Sequence, residues 1–192
     1  MSENGGGSSL AQLVRDRRRF DAYHWIKDMT DAHRREHRCG AYPFSDGSIL
    51  GAIADARRPA AVLELGTALG YTACWWASRA ERVDTIEHDP LHVQLARENA
   101  KAADLDSRIT VHKGDFHTVL AGLPTSYDLV FFDGYEPPGW LITEIGSRLN
   151  DDGALVTTNL DLGGGNFRSV LRSLPGWTSQ FIDDVAISVR AL

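Results

Sequence analysis

Short apolar runs alternate with amphipathic stretches through most of this chain. The runs at residues 61–65, 83–86, 109–112, 127–132 and 154–158 are the length of buried strands. Between them, residues 71–79, 90–103, 116–121 and 139–149 carry helical spacing, and Pro90 sits where a first helical turn tolerates it. A further helix is expected at 166–174. Two closing strands at 177–182 and 185–191 are joined only by Asp183-Asp184, which is short enough for a hairpin. Upstream, Ser45 or Asp46 can cap a helix over 47–56, and Arg57-Arg-Pro59 ends it. Residues 10–38 also read as helical, because Leu10, Leu13, Val14, Phe20, Trp25, Ile26 and Met29 recur at three- and four-residue steps. Residues 1–9, with Gly5-Gly-Gly-Ser-Ser9, have little to bury and read as a flexible tail.

Strand–helix alternation of this kind predicts an α/β, Rossmann-like, doubly wound sheet of seven strands with helices on both faces. The closing hairpin makes the sheet mostly parallel, with one antiparallel strand near the C-terminus. The expected organisation is one structural domain: tail 1–9, a helical extension or cap over 10–56, and the ligand-binding fold over 57–192. In such sheets the ligand lies beyond the carboxyl ends of the strands, at the topological switch point.

Composition narrows the partners. A chain of 192 residues supports one substantial core rather than two. Its formal net charge of -6 gives no global attraction for nucleic acid, so a small-molecule acceptor is expected and nucleic acid is not. Cys39 and Cys74 form no metal-ligand spacing along the chain, and two thiols fit a reducing compartment. No apolar run reaches the length of a membrane span. A cytoplasmic protein without membrane contact is expected. The arginine-rich stretch before residue 39, which also holds His24, His33 and His37, reads as a solvated helical face or as a lid over the cleft.

Four polar features follow the apolar runs. The first is Glu64-Leu-Gly-Thr-Ala-Leu-Gly70, where a strand turns into a helix. Gly66 and Gly70 let the backbone turn sharply and approach a ligand. Ala68 and Tyr71 stand where a dinucleotide fingerprint needs its second and third glycines, so a pyrophosphate cradle is not supported. Glu64 repels phosphate and suits a cation such as the amino group of an amino acid. The second is Glu87, roughly 20 residues beyond Gly66, a position from which a carboxylate accepts hydrogen bonds from ribose hydroxyls. The third is Lys113-Gly-Asp-Phe116, whose polar and aromatic groups can meet an adenine edge and face, although Asp115 can equally cap the next helix. The fourth is the strand 127–132, which ends in Asp133-Gly134 and so aims an acid at the cleft.

Together these features resemble the class I S-adenosylmethionine (SAM) methyltransferases, and within them the catechol and caffeoyl-CoA O-methyltransferase group (O-methyltransferase family 3-like). The resembling stretches are VLELGTALGYT (62–72), TIEHDP (85–90), ARENAKAADL (96–105), RITVHKGDF (108–116) and YDLVFFDG (127–134). The resemblance runs from about Gly40 to the C-terminus. It implies that Glu64, Gly66, Thr67 and Ala68 hold the methionine part of SAM, with Gly70 and Tyr71 completing the turn and Thr72 binding the carboxylate. Tyr42 would lie near the same end. Glu87 would take the ribose, and His88 would sit beside the adenine. Gly114, Asp115, Phe116 and His117 would frame that ring, and Asp133 would stand near the reacting methyl. S-adenosylhomocysteine would be the product, and a hydroxyl oxygen the acceptor. A homodimer is a further expectation.

The acceptor side departs from the group's pattern. Metal-dependent members carry Asp-x-Asp-x-Lys-like residues after the fourth strand and Asp-Asn after the fifth. Here Asp133 is kept, but Tyr135 and Glu136 stand where the second acid and the lysine would be. Asn159 matches, while Thr158 takes the place of the other ligand. Asp133 and Asn159 alone make a thin hard-cation site, so a divalent metal is not expected to be required. Asp133, Tyr135 and Glu136 are the candidate catalytic residues, and His37 and Asp161 are further bases. Two other readings stay open: a SAM-binding protein without methyl transfer, and a nicotinamide-dependent oxidoreductase on a related plan.

Overall fold

The computed structural model describes residues 20–134, 137–160 and 166–191. The expected tail, the helical reading of 10–19, and Tyr135, Glu136 and Asp161 lie outside the described residues.

Helix α1, His24–His37, follows a turn in which Asp21 Oδ1 accepts from the Tyr23 amide at 3.0 Å. Within the expected span of 10–38, that turn sets the helix start at His24, and Arg38 in the left-handed region ends it. Helix α2, Gly47–Arg57, is capped by Asp46, whose carboxylate accepts from the Ser48 amide at 3.2 Å. Then come β1 (Ala61–Leu65), α3 (Tyr71–Ala77), β2 (Arg82–Glu87), α4 (Pro90–Ala102), β3 (Ile109–Lys113) and α5 (Phe116–Leu120). The chain continues through β4 (Tyr127–Phe132), α6 (Gly139–Arg148), β5 (Leu149–Thr157), α7 (Asn166–Arg172), β6 (Trp177–Ile182) and β7 (Val185–Arg190).

The seven strands form one sheet in the order β3-β2-β1-β4-β5-β7-β6. β1 to β5 pair in parallel, while β7 is antiparallel to both β5 and β6. The expected doubly wound, mostly parallel sheet is therefore observed. The winding reverses between β1 and β4, and that reversal opens a crevice beyond their carboxyl ends.

Period-two alternation divides the core into two layers. On β4, Leu129 and Phe131 face the layer that holds Ile26, Leu50 and Trp76, with the Phe131 and Trp76 rings 5.2 Å apart. Val130 and Phe132 face the other layer, with Leu141, Ile145 and Leu155. Fully burying one such large side chain stabilises the fold by roughly 1.5–3 kcal/mol.

β5 begins earlier than its apolar run. Asn150-Asp-Asp152-Gly153 falls between the expected helix and strand, yet it lies inside the strand, beside a register shift between Tyr127 and Leu129. Asp128 explains the extension. Its Oδ1 accepts from Asn150 Nδ2 at 2.8 Å, while Oδ2 accepts from the Ala60 and Ala61 amides at 2.8 and 2.9 Å. One carboxylate thus ties the starts of β1, β4 and β5 together.

Candidate functional site

The crevice is a cavity of about 460 Å³, within the usual range for small-ligand sites. Its floor is the turn after β1. Gly66 (φ 95), Ala68 (φ 45) and Gly70 (φ 91) lie in the left-handed region. Glycine is at home there, whereas Ala68 is held by its surroundings. A side-chain carbon at Gly66 would be strained and would stand 3.8 Å from Asp133 Oδ1, so the empty space at Gly66 is part of the cradle.

Beneath the turn lies Glu64, fully buried. Its Oε1 accepts from the Thr72 hydroxyl at 2.5 Å and its Oε2 from the Thr85 hydroxyl at 2.6 Å. Thr67 Oγ1 in turn lies 2.6 Å from Thr85 Oγ1. Burial, reinforced by Asp133 and Glu87, pushes the Glu64 carboxyl up to about 8 despite the two hydroxyl donors.

Glu87, at the carboxyl end of β2, bridges two backbone amides: Oε2 accepts from Ala68 at 2.8 Å and Oε1 from Asp89 at 2.9 Å. It thereby joins the turn after β1 to the start of α4, which Asp89 caps through the Leu91 and His92 amides. At the end of β4, burial pushes the Asp133 carboxyl up to about 7. Its own backbone carbonyl accepts from Asn159 Nδ2, and Asn159 adopts φ 58 to make that contact.

The helical segments before β1 form another wall. Tyr71 donates its hydroxyl to Asp21 Oδ2 at 2.5 Å and accepts from the Gly47 amide at 3.0 Å. Lys27 Nζ donates to the Ser45 carbonyl at 2.5 Å. Exposed Tyr42 lies under the Arg34 guanidinium, 4.3 Å from ring centroid to Cζ.

Of the residues expected at the site, Tyr42, Gly66, Thr67, Ala68, Tyr71, Thr72, Glu87, His88, Asp133 and Asn159 line one cavity. Glu64 and Gly70 do not line it. Both oxygens of Glu64 are occupied beneath the turn, so it supports the floor and does not face a ligand directly. Gly114, Asp115, Phe116 and His117 also lie off the cavity wall. Asp115 caps α5, accepting from the amide and the hydroxyl of Thr118 at 2.9 Å each, which draws its pKa down. His117 sits edge-on to Trp140, with centroids 5.7 Å apart.

Sequence reasoning missed Ala41, Phe44, Leu69, Asp89, His92 and Gly134, which also line the cavity. Asp89 and His92 were legible in principle: the first turn of a helix that follows Glu87 must face the same mouth. Ala41 and Phe44 gave no such signal, because a turn-rich stretch does not reveal where it folds back.

Among the described residues, the hard-cation place after β4 and β5 offers the Asp133 carboxylate and the Asn159 amide, whose Nδ2 is already engaged. Thr158 is fully buried with an unpartnered hydroxyl and does not line the cavity. This set does not fit magnesium or calcium, which take six or more oxygens and several charges.

A family model described as a methyltransferase domain matches residues 63–160. The chain belongs to this methyltransferase-domain family. Among curated relatives, it is 36% identical to a catechol O-methyltransferase from Mycobacterium tuberculosis over 126 residues, 62% of this chain and 56% of that protein. It is 35% identical to a tRNA1(Val) (adenine(37)-N6)-methyltransferase from Proteus mirabilis over 96 residues, 48% of this chain and 38% of that protein. The chain spans about half the length of its catechol O-methyltransferase relatives. In three dimensions it is similar to an S-adenosylhomocysteine-bound methyltransferase from Podospora anserina, with a TM-score of 0.76 at 20% identity, covering 95% of this chain and 93% of that one. That likeness confirms the fold expected from the sequence.

Proposed function

We propose that this chain binds SAM in the crevice between the ends of β1, β2 and β4 and transfers its methyl group to a hydroxyl oxygen of a small molecule. The observation that carries this reading is the cradle itself. A left-handed turn at Gly66 and Ala68, an acid at Glu87 and a second acid at Asp133 line one cavity.

Bound SAM supplies an electrophilic methyl on a cationic sulfur. The chain's part is to position and to move protons. Glu87 is aimed at the turn and has lone pairs left for ribose hydroxyls. Asp133, raised to about 7, can hold or release a proton near neutrality, as a general base requires. Tyr135 and Glu136 remain candidates to assist it. The donor set after β4 and β5 supports transfer without a dedicated divalent metal.

Of the cap expected over 10–56, the described part from residue 20 completes the cavity, and the described residues from 57 on form the cofactor fold. Thr30, Tyr42 and Phe44 on the cavity wall support that division. The net charge of -6 favours a small acceptor over a nucleic acid. Among the described residues no helix is long and apolar enough to cross a membrane. A cytoplasmic location and a homodimer complete the reading.

The test is a methyl-transfer assay on a pooled library of phenols, hydroxy acids, amines and tRNA, run with and without EDTA beside an S-adenosylhomocysteine titration. Transfer to hydroxyl acceptors that survives EDTA is the expected result. Absence of S-adenosylhomocysteine binding at millimolar ligand overturns the reading. Binding without any transfer points to a SAM-binding protein that does not methylate, and transfer confined to tRNA replaces the small acceptor with a nucleic acid.

A further inference from the structure

Three side chains from three separate stretches meet around His92, which lines the cavity. His33 lies on α1, Cys39 two residues beyond its end, and His92 in the first turn of α4. Each offers a ligand atom within 4.8 Å of the other two. The His33 and His92 rings are edge-on, with centroids 5.1 Å apart and planes at 74°. His92 is buried, and its Nδ1 stands 3.7 Å from Glu87 Oε1. His37 packs on the far side of His33, with centroids 4.4 Å apart.

The donor chemistry selects the ion. Two imidazoles and a thiol are a borderline-soft set, suited to zinc and poorly suited to magnesium or calcium. A tetrahedral zinc with its usual bond lengths sets neighbouring ligand atoms roughly 3.5 Å apart. Contraction from the present spacing needs only side-chain adjustment by His33 and Cys39, both half-exposed. Burial, together with His37 and His92, draws the His33 pKa down and favours the neutral imidazole that a metal needs. Cys74 is no competitor: it is fully buried, and burial beside Glu64 pushes its thiol up to about 12.

We propose that His33, Cys39 and His92 bind one zinc-class divalent ion, which latches α1 and the segment after it to the start of α4. The Cys39 thiol gives its proton to solvent as the sulfur–metal bond forms. The two imidazoles bind neutral, and water takes the fourth position. Glu87 Oε1, 3.7 Å from His92 Nδ1, stands where a small shift of the ring would let it accept from that nitrogen and leave the other for the metal, the role carboxylates commonly play behind metal-bound histidines. The site needs neither SAM nor an acceptor to form, although it shares Glu87 and His92 with the cavity wall.

The experiment is a cobalt(II) titration of the full chain after treatment with a chelator. Expected is one ion per chain, with a thiolate-to-metal charge-transfer band that zinc displaces. At about 100 times its dissociation constant, zinc should raise Tm by roughly 5 °C. Cys39→Ser should abolish the charge-transfer band, and His33→Ala should weaken binding at least about 10-fold. Apo-state circular dichroism and Tm are expected to match the wild type for both variants, which checks that they fold. The proposal is overturned by the absence of a charge-transfer band in the wild type, by its persistence in Cys39→Ser, or by unchanged affinity in His33→Ala.

Discussion

The two sides of the cavity are finished to different degrees. On the side of β1 and β2, each acid is satisfied from within: Glu64 by Thr72 and Thr85, Glu87 by the Ala68 and Asp89 amides. On the side of β4 and β5, Asp133 has only its own amide as a stabilising partner among the described residues, and the Thr157 and Thr158 hydroxyls are buried without one. The first side is held in shape by its own hydrogen bonds. On the second, Asp133 lines the cavity uncommitted to any neighbouring side chain, while the two threonines lie behind the wall.

The largest expected effect tests how the finished side is held. The Glu64 carboxyl has its pKa raised from 4.5 to about 8, so between those values the folded state keeps a proton that the unfolded chain has released. Its contribution to stability is therefore fully present below about pH 4.5 and is lost as pH rises through about 8. Glu64→Gln should flatten that decline, gaining on the wild type by as much as about 4 kcal/mol between pH 4.5 and 8.5. Urea midpoints at the two pH values measure it, and parallel declines would show that Glu64 is not the titrating group.

Next in size is Glu87→Ala. Loss of two charge-assisted hydrogen bonds to ribose should weaken S-adenosylhomocysteine about 100-fold by calorimetry. A change under about threefold would remove Glu87 from the cofactor site.

A smaller effect sharpens the unfinished side. A cationic sulfonium favours ionised Asp133, whereas the neutral thioether product does not. The ratio of SAM to S-adenosylhomocysteine affinity should therefore rise about 10-fold as pH climbs through about 7, and Asp133→Asn should leave it flat. The amino group common to both ligands cancels in the ratio. A ratio independent of pH in the wild type would place Asp133 away from the sulfur.

Smallest is Asn159→Ala, which removes the hydrogen bond to the Asp133 carbonyl. It should destabilise the chain by about 1 kcal/mol. A loss several times larger would show that Asn159 holds more of the β5 end than this one contact.

The same contrast decides what was legible in the sequence. Strands and helices were, because burial of a parallel sheet writes itself as apolar runs. The turn at Gly66 and the acid at Glu87 were legible because backbone geometry and strand ends fix their places. Asp115 was ambiguous: one carboxylate can cap a helix or face a ligand, and only three dimensions show that Thr118 takes it. Glu64 was read at the mouth of the turn, and the hydroxyls of Thr72 and Thr85 that hold it from beneath were not legible, since a period-two pattern does not say what lies under the next helix. The early start of β5 was hidden because Asp128 draws polar residues into pairing. His33, Cys39 and His92 carried no spacing signal, for they meet only after α1 folds against α4.

The hydroxyls around Glu64 also have a direction. Thr85 spends its single hydrogen on Glu64, so the short contact between Thr67 and Thr85 requires Thr67 to be the giver. With Glu64 ionised, Thr67 and Thr72 both point their hydrogens inward and show only lone pairs to the ligand. With Glu64 protonated, its new hydrogen must be accepted by one neighbouring hydroxyl. That displaces a hydrogen outward, through Thr72 or along the relay from Thr85 to Thr67. One proton taken up under the floor then emerges above it as one donor, able to greet the carboxylate of an amino-acid ligand.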